Sequence, residues 1–162
     1  MEGFGALAAT LGTRLKASGL RLAVAESCTG GLLAAAVTAV PGSSDYFLGG
    51  VVAYHNDAKT ALLGVPGPMI ASDGAVSASV AVAMAEGALL CFGADVAVGV
   101  TGIAGPGGGM PDKPVGTVWV AVSAPGVCIP HRLALPGDRE QVRAAAVRES
   151  LRLLIAALGA GP

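Results

Sequence analysis

A short apolar run, Leu20-Arg21-Leu22-Ala23-Val24, passes through Ala25-Glu26-Ser27-Cys28-Thr29-Gly30-Gly31 into an alanine-rich stretch, Leu32-Leu33-Ala34-Ala35-Ala36-Val37. The first run has the length and composition of a buried strand, and the last has those of a helix. A strand followed at once by a glycine-containing turn and a helix commits the chain to an α/β layer arrangement. In open α/β sheets, ligands bind beyond the carboxyl ends of the strands, so Ser27 falls where side chains meet a ligand. Unpaired N–H groups at a helix start can hold a phosphate or an oxyanion, and Gly30 and Gly31 allow a substrate to approach the backbone. The plainer alternative is that Ser27 or Thr29 only caps the helix.

The remaining pattern extends the same architecture. A first helix is expected over 3–18, strand one over 21–26 and helix two over 29–40, ended by Pro41-Gly42. Tyr46 to Tyr54 reads as strand two. Asn56 is placed to cap a short helix through Leu63, and 66–74 reads as a loop. Ser77 can cap a helix reaching Cys91, and Ala94 to Val100 is a fully apolar third strand. A glycine-rich loop runs from Thr101 to Pro114, followed by a hairpin of 115–123 and 127–135. Asp138 and Gln141 have the spacing of a capping box for a last helix to Leu158. Residues 159–162 are expected to fray. The prediction is one domain over 1–162, a three-layer α/β/α sandwich. Its sheet, of about five strands, is mixed and mostly parallel.

Composition excludes several classes of function. Of 162 residues, 53% are apolar and 13% charged, which is incompatible with a disordered chain. Ten basic residues against eleven acidic ones, with no basic cluster, argue against nucleic-acid binding. No stretch has the unbroken apolar length of a membrane helix, and no basic amphipathic helix points to a membrane surface. Met1-Glu2-Gly3-Phe4 lacks the features of a signal peptide, so a cytoplasmic location is the default expectation. The low surface charge favours a homo-oligomer with some apolar surface covered. Three separated cysteines form neither a disulfide framework nor a zinc site. Cys91 and Cys128 are expected in the core, whereas Cys28 is a possible rival nucleophile. Two histidines are too few for a histidine-based metal site.

Three further segments carry chemistry. In Tyr54-His55-Asn56-Asp57-Ala58-Lys59, a cap at Asn56 puts Lys59 in the first helical turn, against the positive end of the helix dipole. That position and burial both lower a lysine from its usual pKa of ~10.4, and a neutral lysine can serve as a general base. Tyr54 would relay a proton or hold the lysine; the alternative is a solvated lysine on a surface helix. The loop Thr101-Gly102-Ile103-Ala104-Gly105-Pro106-Gly107-Gly108-Gly109 permits backbone contacts to a ligand, or forms a mobile turn. Its spacing is neither that of a dinucleotide fingerprint nor that of a P-loop. In Gly137-Asp138-Arg139-Glu140-Gln141-Val142-Arg143, two arginines near a helix start can grip a phosphate or simply face solvent.

Taken together, Ala25–Gly31 (AESCTGG), Gly49–Lys59 (GGVVAYHNDAK), Gly74–Glu86 (GAVSASVAVAMAE), Val100–Gly108 (VTGIAGPGG), Lys113–Val118 (KPVGTV) and Gly137–Arg143 (GDREQVR) resemble the CinA C-terminal domain family. These are the nicotinamide-nucleotide amidases also called PncC. The resemblance spans nearly the whole chain and is to the stand-alone form; larger members carry an additional N-terminal domain. It implies deamidation of nicotinamide mononucleotide to nicotinic acid mononucleotide and ammonia, in pyridine-nucleotide salvage, with no metal or redox cofactor. It places the nucleophile on Ser27, the base on Lys59 and an assisting tyrosine on Tyr54. Glu26, Thr29, Gly30, Gly31, Thr101, Gly102, Gly105 and Arg143 are the candidate substrate-binding residues, with backbone N–H groups near Thr29, Gly30 and Gly31 meeting the oxyanion. Gly109-Met110-Pro111-Asp112 departs from the family pattern, where a Thr or Ser often follows the glycines. Three other readings compete: a Ser–Lys amidase for another small amide, a non-catalytic nucleotide-binding regulatory domain, and an oligomer-forming scaffold.

Overall fold

The computed structural model describes residues 3–159; residues 160–162, part of the tail expected to fray, lie outside it. Helix α1 (Gly5–Ser18) leads into strand β1 (Leu22–Glu26), helix α2 (Leu32–Thr38), a single 3-10 turn (Ser43–Asp45) and strand β2 (Phe47–Val52). Helices α3 (Asn56–Leu63), α4 (Gly67–Asp73) and α5 (Ala78–Phe92) follow, then β3 (Val96–Gly102). The chain closes with the hairpin β4 (Thr117–Ala124) and β5 (Val127–Ala134) and helix α6 (Arg139–Ala157). The strands form one sheet in the order β2-β1-β3-β4-β5. The β1–β2 and β1–β3 ladders are parallel, and the β3–β4 and β4–β5 ladders antiparallel, so the sheet is mixed as expected. Among the described residues, no helix is long and apolar enough to cross a membrane.

Period-two alternation divides the sheet into unlike faces. Leu22, Val24, Val96, Val98, Val100, Val118, Val120 and Val122 point into the larger core, with α1, α2 and α6. The opposite face carries small residues, Ala23, Ala25, Ala97 and Ala121, against α5. Helix α5 itself contributes alanines there, Ala81, Ala85 and Ala88, so its backbone lies close to the sheet. Bulky side chains on one face and alanines on the other give three layers of unequal spacing.

Helix α5 also approaches α3 closely. A Cβ added at Gly87 would run into the Leu63 carbonyl at the end of α3. Alanine is the better helix former by about 1 kcal/mol, but overpacking against rigid backbone costs about 1–3 kcal/mol. Gly87→Ala is therefore expected to lower Tm by several degrees. Thermal melting checks this; an unchanged Tm would show that α3 and α5 separate without cost.

Local chemistry explains where the elements depart from expectation. Helix α1 begins at Gly5 after an N-cap at Phe4 rather than at residue 3. Residues 66–74 are not a loop, because Pro66 and Pro68 sit at the start of α4, where a missing N–H costs nothing. Helix α2 starts at Leu32, since Gly31 is its N-cap in a left-handed conformation. The cap of α3 is His55, whose side chain accepts from the Asp57 N–H, and not Asn56. Cys91 is exposed on α5 and Cys128 is half-buried on β5, so neither is a core residue. The Asp138–Gln141 capping box forms as expected.

Candidate active site

Parallel strands β1 and β2 are in register to their last residues, Glu26 opposite Val52. Both chains therefore leave the sheet at the same edge. The turn after β1 presents Ser27, and the turn after β2 leads through Tyr54 into α3, which carries Lys59. The Lys59 Nζ lies 3.0 Å from Ser27 Oγ and 3.1 Å from the Tyr54 carbonyl oxygen. Lys59 is only 1% exposed and Ser27 7%. Burial pushes the Lys59 amine below the ordinary lysine value, and Cys28 beside it raises it by a smaller amount. A lowered, buried amine in hydrogen-bond reach of a serine hydroxyl has the geometry of a base and its nucleophile.

This pair faces a cavity of about 290 Å³. Its walls come from four connections: Ser27 and Cys28 after β1, Tyr54 and Asn56 after β2, Ala75 and Val76 before α5, and the end of β3 with the loop beyond it, residues 101–105, 107 and 108. Of the glycine-rich loop, Thr101, Gly102 and Gly105 line the cavity. The Thr101 Oγ1 donates to the Ala75 carbonyl at 2.8 Å, joining the third and fourth connections. Cys28 lines the same cavity, but burial first, and Glu26 to a lesser degree, push its thiol up to about 11. A thiol held protonated is a poor nucleophile, so Cys28 does not compete with Ser27.

Tyr54 holds Lys59 through its carbonyl, not its hydroxyl. Its ring is more than half exposed, and its hydroxyl accepts a 2.7 Å hydrogen bond from Arg139. Arg139 also donates to the Gly105 carbonyl at 2.8 Å and lines the cavity. It opens α6 directly after the Asp138 cap, whereas Arg143 lies one turn further along the helix. The sequence reading selected Arg143 of the two; the structure puts Arg139 in the cavity wall. Asn56, released from capping, joins the wall as well.

Four of the expected substrate-binding residues do other work. Glu26 is fully buried, and its carboxylate accepts from the N–H groups of Gly31 at 3.1 Å, Leu33 at 3.0 Å and Ala34 at 2.8 Å. The front of α2 is thus capped by Glu26 rather than by Ser27 or Thr29, and Gly31 has no N–H left for an oxyanion. The Gly30 N–H donates to the Ser27 carbonyl at 3.0 Å, so it is committed as well. Arg143 binds the carbonyls of Cys28 and Thr29 at 3.1 and 3.0 Å instead of facing the cavity. Among the described residues, no group of three or more His, Cys, Asp or Glu is arranged to hold a metal ion.

Comparison with known proteins places the chain in a family. The chain is 60% identical over 129 residues to a CinA-like protein of Citrifermentans bemidjiense, covering 80% of this chain and 31% of that protein. It spans about a third of the length of the curated relatives it matches. Among solved structures, a competence/damage inducible protein of Agrobacterium tumefaciens superposes with a TM-score of 0.93 at 45% identity, covering 97% of this chain and 96% of that one. A competence damage-inducible protein of Klebsiella pneumoniae gives 0.93 at 41% identity, with 96% of each chain covered. The CinA C-terminal domain model matches residues 5–158. The chain belongs to the CinA C-terminal domain family.

Proposed function

We propose that this chain hydrolyses the carboxamide of nicotinamide mononucleotide, giving nicotinic acid mononucleotide and ammonia for pyridine-nucleotide salvage. The observation that carries the reading is the 3.0 Å contact between a buried lysine amine and a serine hydroxyl at a cavity wall. In its neutral form Lys59 keeps one N–H on the Tyr54 carbonyl and turns its lone pair to the Ser27 hydroxyl. Ser27 Oγ attacks the carboxamide carbon, its proton passes to Lys59, and the carbonyl π pair moves onto oxygen. The tetrahedral adduct collapses as the C–N bond breaks, and Lys59 returns the proton to the leaving nitrogen, which departs as ammonia. Water then attacks the acyl-enzyme, Lys59 takes its proton, and the same proton restores the Ser27 hydroxyl.

Thr101, Gly102 and Gly105 offer the ribose phosphate side of the cavity. Arg139 is the cation best placed for the phosphate, because it reaches the wall from the start of α6. A guanidinium binds phosphate through paired, charge-assisted hydrogen bonds. Ammonia release measured with nicotinamide mononucleotide beside a panel of amides tests the reading. Turnover of the nucleotide, and weaker turnover of nicotinamide riboside, is the expected result. Ammonia from another amide but not from the nucleotide would reassign the substrate. Nucleotide binding with no ammonia from any amide would make the chain a binding domain.

A further inference from the structure

Asparagine ranks among the best N-cap residues, whereas inside a helix its side chain competes with the backbone. Asn56 nevertheless stands as the first residue of α3, and His55 before it takes the cap, accepting from the Asp57 N–H at 3.1 Å. A local preference broken beside a base and its nucleophile points to a ligand rather than to the fold. Asn56 is exposed and lines the cavity. Of the cavity's hydroxyl, amine, amide and guanidinium side chains, those of Ser27, Tyr54, Lys59, Thr101 and Arg139 all have hydrogen-bond partners. Among the described residues, the Asn56 amide alone has none, which leaves it open to a ligand with both a donor and an acceptor.

Its place relative to the reacting pair follows from α3. Asn56 and Lys59 are three residues apart, so they share one face of the helix, with Cβ atoms about 5–6 Å apart. Side chains on a helix lean toward its N-terminus. That of Lys59 does so, since its Nζ reaches the carbonyl of Tyr54, which precedes Asn56, at 3.1 Å. The Lys59 amine, 3.0 Å from Ser27 Oγ, therefore ends alongside the first turn of α3, next to Asn56. A carboxamide carbon poised for attack lies about 3–3.5 Å from Oγ. In a cavity of about 290 Å³ with all three side chains in its wall, that carboxamide is within reach of the Asn56 amide.

Charge alone makes this cavity favour product over substrate. Its lining holds Lys59 and Arg139 and no carboxylate, and the acid product carries one negative charge more than the amide. A site that is to bind the amide and release the acid needs a neutral group to offset that preference. A primary carboxamide has N–H donors where the acid has a second oxygen, and a neutral acceptor can read that difference. We infer that Asn56 is the residue that distinguishes amide from acid: its Oδ1 accepts from the carboxamide N–H and its Nδ2 donates to the carboxamide oxygen. This rests on the amidase reading of the Ser27–Lys59 pair. The two hydrogen bonds lie in the amide plane, and Ser27 Oγ attacks across that plane. The Nδ2–H stays on the oxygen as the π pair moves onto it. Against the product, Oδ1 faces a carboxylate oxygen, a repulsive contact with no hydrogen bond.

The test compares the Kd of nicotinamide mononucleotide with that of nicotinic acid mononucleotide, by calorimetry, in a Ser27→Ala background that binds without turnover. Adding Asn56→Ala should weaken the amide about tenfold or more, the scale for two lost hydrogen bonds, and leave the acid within about threefold. Adding Asn56→Asp instead keeps the shape but sets a carboxylate against the acid, so the acid should weaken more than the amide. Aspartate is favourable in a first helical turn, so this variant decides should Asn56→Ala fail to fold. Equal loss of both nucleotides in Asn56→Ala, loss of neither, or an Asn56→Asp that weakens the amide as much as the acid would overturn the proposal. So would a Ser27→Ala protein that binds the acid as tightly as the amide, or that binds no amide. Ammonia release from no amide, with the amide preference present and lost in Asn56→Ala, would remove the proposed function and still bear out Asn56. Ammonia from nicotinamide but not from the nucleotide would remove the proposed substrate, and the same comparison on nicotinamide and nicotinic acid would then decide.

Discussion

Ser27→Ala should abolish ammonia release from nicotinamide mononucleotide, with kcat lower by about 10⁴- to 10⁶-fold. The fold should survive. Removing Oγ costs one hydrogen bond with Lys59, and Lys59 keeps the Tyr54 carbonyl. A net loss of about 1 kcal/mol is the scale for such a bond. Cys28 is adjacent but does not take over, since its thiol is held protonated, with a pKa of about 11. Single-turnover ammonia measurements and a melting curve on the same sample check both halves. Turnover within tenfold of wild type would remove Ser27 from the nucleophile's role.

Lys59→Met should be about as severe, because among the described residues no other group hydrogen-bonded to Ser27 Oγ can take its proton. Residues that act as one unit lose activity non-additively, so the Ser27→Ala/Lys59→Met double variant should be no slower than either single variant. In the wild type, activity needs the neutral amine. The value of kcat/KM should therefore rise with pH along a limb whose pKa lies below 10.5, the ordinary lysine value. Lys59→Met should lack that limb.

Stability should move with the same group. Lys59 has a lower pKa folded than unfolded. Between the two values the unfolded chain binds the extra proton, so stability rises with pH across that window. The burial penalty is complete below the folded pKa and gone above the unfolded one. Lys59→Met removes the penalty along with the charge, so its stability should be flatter with pH on the alkaline side. Denaturant titrations from pH 7 to 10.5 check this. A limb that persisted in Lys59→Met would assign the base to another group.

Much of the site was legible because it depends on local order along the chain. The strand-to-turn switch at 26–27 and the end of the second strand, expected at Tyr54 and found at Val52, place Ser27 and Tyr54 at the sheet edge where an α/β sheet binds ligands. Parallel pairing of β1 with β2 then brings the two switches to one edge. The role of Glu26 is legible from periodicity too. Period two puts it on the face of Leu22 and Val24, which is the α2 side. A carboxylate buried there must find donors, and the first N–H groups of α2 are the nearest ones.

Other features depended on distances between segments far apart in the chain. Arg139 and Arg143 lie one helical turn apart on α6, and both look like surface charges in sequence. Their roles separate only when α6 is docked: Arg139 meets Gly105 and the Tyr54 hydroxyl, and Arg143 meets the turn after β1. Periodicity names the faces of a helix but not how far it slides along its neighbours. That offset is set by close packing, here in part at Gly30, which leaves room for the incoming Arg143 side chain.

The amino-acid sequence alone determined the layers, the mixed sheet and the sheet edge at which chemistry is possible. Each of these follows from hydrophobic periodicity and turn residues read over a few positions. Tertiary structure alone decided which hydrogen-bond donors of the turn after β1 are already committed, which arginine faces the cavity, and that Lys59 is buried against Ser27. The physical reason is that solvation and hydrogen-bond competition depend on what surrounds a group in three dimensions. A lysine pKa falls by desolvation only when packing has excluded water from it.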